Sequence, residues 1–576
     1  MAHMIASKNT TERLTLNRRR FLAYFSSVGL GATLLPGTLT AVAQDADEIT
    51  VEMVVAAEKI AGLSFPPEMR ERFVRDLGRL RTTYKNLSDI NMDQSVAPCF
   101  VFNPVPPGHE AVEPDRNPVI TSSVDVTVPD SEEELAFLPV THLSALIKTR
   151  KITSTDLTQL YLSRLNKYDP ELKCVVTYTE KLAVTQAKIA DDEIAAGNYR
   201  GPLHGIPYGL KDIISVRGYR TTWGAEPYKN QHIDTDATVF KRLTDAGAVL
   251  IAKLTTGSLA AGNARWFGGE TKNPWDVTQG AGGSSAGSGA ATAAGLVGFA
   301  IGTETQGSIL NPSSRCGITG LRPTFGRISR YGVMPLSWTM DKVGPMCRSA
   351  EDCAIVFNAI YGPDGYDMSM LDRPFRWEPA MDVRKIRVGY IEPGEEPAGR
   401  SGDDERRRRA REQQRLNEAS LDLLRSLGID LIPIRFPDTV ATGNLGFILH
   451  TESAAMFDRI VRDGSIDTMD DSSRPYTFRI RRFVPGAEYI QANRARTLLM
   501  QEMSRTLEGI DLYIGGSTSL TNHTGHPALT CVNGFIDGMP ANLRMNGNLF
   551  KEAEMLAVAR AFQNASGYHL KHPDYP

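Results

Sequence analysis

Residues 280–308 hold nine glycines and four serines, Ser284, Ser285, Ser288 and Ser308. Glycine at that density lets backbone amides come close to a ligand, and the serines set hydroxyls among them. A phosphate loop does not fit. The run lacks the Gly-Lys-Ser/Thr ending of a Walker motif, and Ser285 stands where GxGxxG, begun at Gly280 and Gly282, needs its third glycine. Acyl chemistry does fit. Gly283-Ser284-Ser285-Ala286-Gly287 reads GxSxG, which would make Ser285 the nucleophile of an α/β-hydrolase-type esterase. That enzyme also needs an acid and a histidine further along, for which His450, His523 and His526 are the nominal candidates.

Elements of regular structure must carry these residues, and the surrounding pattern says which kind. Residues 236–246 form an amphipathic run with Val239, Phe240 and Leu243 on one face; Gly247 stops it and a short apolar strand follows at 248–252. Such alternation predicts an α/β domain with helices packed on a sheet. The charged run at 403–411 reads as the solvated start of another helix. With 41% hydrophobic and 23% charged residues, the composition is that of an ordinary globular protein. A net charge of −3, from 64 basic and 67 acidic side chains, offers no general attraction for nucleic acid. Six scattered cysteines without CxxC and ten histidines without HExxH predict no metal site and no disulfide framework. Cys347 and Cys353 are near enough in sequence to pair, but free buried thiols are expected. His523 and His526 read as part of a turn.

The N-terminal part of the chain reads differently. Arg18-Arg19-Arg20-Phe21-Leu22, a small and apolar stretch to Leu35, and Ala41-Val42-Ala43 resemble a twin-arginine export signal over residues 1–43, predicting a periplasmic or secreted bacterial protein. The apolar run is shorter than the roughly 20 residues of a membrane-spanning helix, so no span is expected once the signal is cleaved. Residues 44–134 read as a helical hairpin, its second helix opened by Pro66-Pro67, followed by a proline-rich linker. Residues 135–576 read as the main domain.

Several segments, taken in order, resemble the amidase signature family. They are Gly205-Ile-Pro-Tyr-Gly-Leu-Lys-Asp212, Thr271-Lys-Asn-Pro-Trp-Asp276, Gly282-Gly-Ser-Ser-Ala-Gly-Ser288, Gly302-Thr-Glu-Thr-Gln-Gly-Ser-Ile309 and Cys316-Gly-Ile-Thr-Gly-Leu-Arg-Pro-Thr-Phe-Gly-Arg327. Ser329-Arg-Tyr-Gly332, Met340-Asp-Lys-Val-Gly-Pro345 and Asn522-His-Thr-Gly-His-Pro-Ala528 continue the resemblance, which spans about residues 135–570. It implies an α/β fold with a large mixed central sheet covered by helices on both faces, and a serine amidase that needs no cofactor. It further implies a triad of Ser308 as nucleophile, Ser284 as proton relay within a cis peptide, and Lys211 as base. The backbone N–H groups of Thr305, Gln306, Gly307 and Ser308 would form the oxyanion hole, with Thr303 and Ser285 toward the substrate. A lysine serves as base only when neutral, so Lys211 must be desolvated or crowded by positive charge. A catalytically silent scaffold is the remaining alternative, disfavoured because all three triad positions are intact.

The chain departs from the commonest family pattern in two places. Gln306 replaces a glycine, which is tolerable if the backbone there needs no positive φ, and Leu310 replaces an arginine. In the branch that releases ammonia from glutamine for transfer-RNA amidation, a positive charge holds the charged end of the substrate, so Leu310 speaks against that branch. Glu-Thr-x-Gly-Ser resembles a peptide-amidase-like branch. Only residues 515–521 separate the strand at 511–514 from the Asn522 motif, where relatives carry a long insert, which predicts a low cleft wall admitting bulky aryl amides, carbamates or peptide amides. The expected partner is a small-molecule amide, not nucleic acid, and a homodimer is left open.

Overall fold

The computed structural model describes residues 49–90, 100, 120–122, 124–392, 404–436, 440–469 and 473–574; the expected export signal lies outside them. The described residues form two compact units that part between Asn86 and Leu87. The first holds two helices, Val51–Ala61 and the greater part of Pro67–Ser88. Thr50 caps the first by accepting the N–H of Met53, and Gly62 closes it in the left-handed conformation. Within the second unit, residues 120–122 and 124–130 form neither helix nor strand. There Ser122 donates from its backbone and hydroxyl to the Glu351 carboxylate, which also receives Arg560, and Lys151 reaches the Val126 carbonyl. With no ladder of its own, this stretch satisfies its polar groups on side chains elsewhere in the unit.

The second unit is built on one sheet of 11 strands. In chain order they are β1 (Val175–Tyr178), β2 (Pro207–Lys211), β3 (Val249–Leu254), β4 (Phe299–Glu304), β5 (Thr319–Arg322), β6 (Lys342–Cys347), β7 (Val388–Ile391), β8 (Leu431–Ile434), β9 (Leu512–Ile514), β10 (Ala528–Ile536) and β11 (Met539–Gly547). Their order across the sheet is β1-β3-β2-β4-β6-β5-β10-β11-β9-β7-β8. β2 runs parallel to both β3 and β4, and β7 to both β8 and β9, while the remaining neighbours are antiparallel. The sheet is therefore mixed, as the resemblance implied. Every residue of β2, β3 and β4 is buried, which is what strands covered on both faces require.

The helix predicted at 236–246 forms at Thr238–Asp245, with Val239, Phe240 and Leu243 buried, and Gly247 turns the chain at φ +79° into β3. The charged run starts a helix at Asp404–Ser426. Helix Ala286–Ala293 is made of Ala, Gly, Ser and Thr and is buried along its length, packed against β2, β3, β4 and β6. Cys174, Cys316, Cys347, Cys353 and Cys531 are buried free thiols; Cys99 lies outside the described residues. No described helix is long and apolar enough to cross a membrane.

Candidate active site

Parallel pairing of β2 with β4 brings the carboxyl ends of both strands to one place, and each buried strand ends on a charged residue, Lys211 and Glu304. Lys211 ends β2 and is fully buried. Its Nζ lies 2.8 Å from Ser284 Oγ, 2.9 Å from Thr303 Oγ1 and 3.4 Å from the Thr303 carbonyl. Burial disfavours the ammonium, and although the Asp341 and Glu304 carboxylates pull the other way, its pKa falls to about 7. The desolvation that the triad requires of this lysine is thus present. The next residue, Asp212, anchors the end of β2 through Lys253, at 2.8 Å, and through the N–H and hydroxyl of Thr222.

Three serines arrive on two segments. Gly283–Ser284 is a cis peptide, and the Ser284 carbonyl accepts the Gly257 N–H at 3.0 Å. A Cβ on Gly283 would stand 1.9 Å from the Asn263 carbonyl oxygen, so no other residue fits there. The Ser285 N–H donates to the Ser308 carbonyl at 3.1 Å, tying the two segments together. The Ser285 hydroxyl is fully buried and spent on β4, donating to the Thr303 carbonyl at 3.1 Å and accepting its N–H at 3.2 Å. It therefore braces the sheet, and the substrate contact expected of Ser285 is not open. Burial holds His450 and His523 down at about 3 and His526 at about 4, and among the described residues none of the three hydrogen-bonds Ser285. The structure does not assemble the esterase arrangement around Ser285. Thr303, expected toward the substrate, uses its hydroxyl on Lys211 while also reaching the wall of the cleft.

Residues 305–308 form the turn after β4. Gly307 has φ +89°, which favours glycine, whereas Gln306 lies outside the left-handed region, so the departure at Gln306 is accommodated. Among the described residues, the N–H groups of Gln306, Gly307 and Ser308 have no hydrogen-bond partner. The turn is fixed from both sides. Glu304 Oε2 accepts the N–H of Ile309 at 2.9 Å and of Leu310 at 3.0 Å, while its Oε1 meets Arg322 at 2.8 Å and Asn522 at 2.9 Å. Burial pushes the Glu304 carboxyl up, yet Arg322 and then Lys342 pull it below the ordinary range, to about 2. On the other side Thr305 donates its hydroxyl to Asp341 at 2.5 Å, and Asp341 also accepts the N–H groups of Leu336 and Ser337.

Glu304, Asp341 and Asn522 lie within the family motifs, but the sequence assigns them no role. An acid inside a buried strand and an acid opening β6 were the available signals, and only the sheet register, which sets Glu304 opposite Lys342, gives them meaning. Asn522 and His523 sit in a short helix, Thr518–Thr524, closed by Gly525, where a turn was expected. Trp275 donates to the Cys316 carbonyl and Asn273 to that of Arg315, holding the end of helix Leu310–Cys316. Leu310 is buried at the start of that helix and supplies no charge. Among the described residues no cluster of His, Cys, Asp and Glu could hold a metal ion.

If Lys211 acts as a base, turnover should rise with pH along a limb centred near 7, the value to which burial brings it. The linkage to stability has the same direction. The unfolded chain keeps this proton to about pH 10.4, so between the two values it binds more protons than the folded chain and folding gains stability as pH rises. Initial rates from pH 5 to 9 check this, and a rate that falls through pH 7 would contradict it.

A mixed α/β sheet that holds a buried lysine near pKa 7 beside a serine hydroxyl, with a turn of unpaired amides at the end of the neighbouring strand, is the arrangement of a hydrolytic enzyme. Residues 156–515 match the sequence model of the Amidase family. A glutamyl-tRNA(Gln) amidotransferase subunit from Roseiflexus sp. (strain RS-1) is 32% identical over 481 residues, covering 74% of this chain and 96% of that protein. Among solved structures, native peptide amidase from Stenotrophomonas maltophilia is 27% identical, with TM-score 0.66, covering 76% of this chain and 98% of that one. Peptide amidase PAM in complex with the competitive inhibitor chymostatin is 30% identical, with TM-score 0.65, covering 74% and 97%. The chain belongs to the amidase family and is an amidase signature enzyme.

Proposed function

We propose that this amidase hydrolyses a carbon–nitrogen bond through an acyl-enzyme on Ser308. Neutral Lys211 takes the proton of Ser284 as Ser284 takes that of Ser308, and the Ser308 oxygen attacks the amide carbonyl. The N–H groups of residues 305–308 stabilise the oxyanion. Collapse of the tetrahedral adduct breaks the C–N bond as the proton on Lys211 returns through Ser284 to the leaving nitrogen. Water then attacks the ester by the same relay, releasing the acid and restoring Ser308. The observation that supports this most is a fully buried lysine held near neutrality 2.8 Å from Ser284, with Ser284 on the segment tied to Ser308. A fluorophosphonate probe tests it: Ser308→Ala should abolish labelling and Ser285→Ala should retain it. Labelling that survives Ser308→Ala and disappears with Ser285→Ala would favour the esterase reading.

The substrate we propose is a bulky aryl amide, a carbamate or a peptide amide. The second reading, an amidotransferase component that acts on glutamine, is favoured by the 32% identity to a protein of that name. Buried Leu310 weakens it, because it puts an apolar side chain where that activity calls for a cation. Competing glutamine against an anilide in one assay separates the two, since the amidotransferase reading requires glutamine to be the better substrate.

A further inference from the structure

Thr303 and Thr305, which frame the loop at the end of β4, also line a cavity of about 810 Å³, within the size range of small-molecule sites. Its mouth is unusual for a protein surface. Eight of the fifteen large apolar side chains exposed among the described residues line this one cavity, including Tyr331, Trp338, Tyr366, Met368 and Met500. The Tyr331 and Tyr366 rings stack with centroids 4.4 Å apart, and Trp338 is 46% exposed. Apolar side chains left in water at this density mark a surface that something apolar covers.

The charged residues of the lining are already engaged within the protein. Arg330 pairs with Asp367 at 2.9 Å and donates further to Ser369 and the Trp338 carbonyl. Arg496 donates to the Thr339 hydroxyl and carbonyl and to the His523 carbonyl. Lys342 is turned onto Asn522, and Asp341 is filled by Thr305 and two backbone N–H groups. An anionic substrate group entering here would lose water and have to displace the oxygens that already hold Arg496 and Lys342, whereas a neutral aromatic group would lose little and gain ring contacts.

We infer that this cavity receives an uncharged, aromatic portion of the amide, and that Tyr331 and Trp338 at its mouth are residues that select it. The inference rests on the amidase reading, because it assigns the cavity to the substrate of that site. It discriminates against amides whose far end is ionised, such as glutamine.

Calorimetry on the full chain carrying Ser308→Ala tests this without turnover, using 3-phenylpropanamide, the same molecule with a para-carboxylate on its ring, and glutamine as probes. The neutral phenyl amide should bind at least tenfold more tightly than either charged probe. Adding Trp338→Ala, an exposed position whose truncation leaves the core intact, should weaken it at least fivefold. Equal or tighter binding of the carboxylate analogue or glutamine, no binding of the neutral amide, or an affinity indifferent to Trp338→Ala would overturn the inference. The catalytic reading fails separately, by absence of Ser308 labelling in the parent protein.

Discussion

Lys211→Met should lower kcat/KM by about 10²–10⁴-fold, the range that a positioned general base contributes, while leaving a folded protein. Methionine keeps an unbranched side chain of similar length in a pocket that already excludes water, so the fold loses the bonds to Ser284 and Thr303 but no longer buries an amine. The sign of the stability change depends on pH. Below about 7 the parent protein must bury a protonated amine, and the variant should gain relative to it; from 7 up to about 10.4 that advantage shrinks steadily, because giving up the proton the unfolded chain would keep costs less as pH rises. Thermal melting at pH 6 and pH 9, run beside kinetics on any amide the parent turns over, reads both effects. Lys211→Arg should be as inactive as Lys211→Met, since a guanidinium keeps its proton throughout this range. Either variant retaining activity within tenfold of the parent would remove Lys211 from the mechanism.

Glu304→Gln should be the most damaging single change to stability around the site, costing roughly 3–5 kcal/mol, as breaking a buried pair by removing one partner does. Arg322 is fully buried with its guanidinium 2.8 Å from Glu304, and the substitution leaves that cation without its carboxylate. Ile309 and Leu310 would lose a charged acceptor for their N–H groups, so the turn carrying Ser308 would loosen and kcat should fall more than KM rises. The carboxylate contributes above its ordinary unfolded value of about 4.3. Its contribution is lost only as pH falls through about 2, so the gap between parent and variant should persist across the neutral range. Denaturant titration at pH 7 checks the magnitude, and a midpoint unchanged within error would show that Arg322 finds another partner.

The two predictions differ in how far the sequence alone could reach them. Lys211, Ser284 and Ser308 are separated by 73 and 24 positions, and nothing in their spacing brings them together; the order of the motifs around them pointed to the group before any geometry did. The α/β class was legible too, because helical and strand periodicities alternate and the glycine stops fall where the turns form, as at Gly247. Ser285 shows the opposite case. By local pattern it was a nucleophile in GxSxG, and its hydroxyl turns out to be spent bracing β4, a fact that depends on which strand the helix start lies against.

What the sequence by itself determined is the inventory: two serines and a lysine in family motifs, a run of glycines where backbone must come close, and Leu310 in place of a cation. The tertiary structure decided what that inventory is worth. Burial is a property of the packed sheet, so only the fold could bring Lys211 to about 7. Charge pairing across the sheet and to distant helices is likewise invisible along the chain, so only the fold could reveal that Glu304, Arg322 and Asn522 hold one turn from three separate elements. The apolar mouth follows the same rule. Tyr331, Trp338, Tyr366 and Met500 are ordinary in their own segments, and they become a binding surface because the fold gathers them at one opening whose charged neighbours are already engaged.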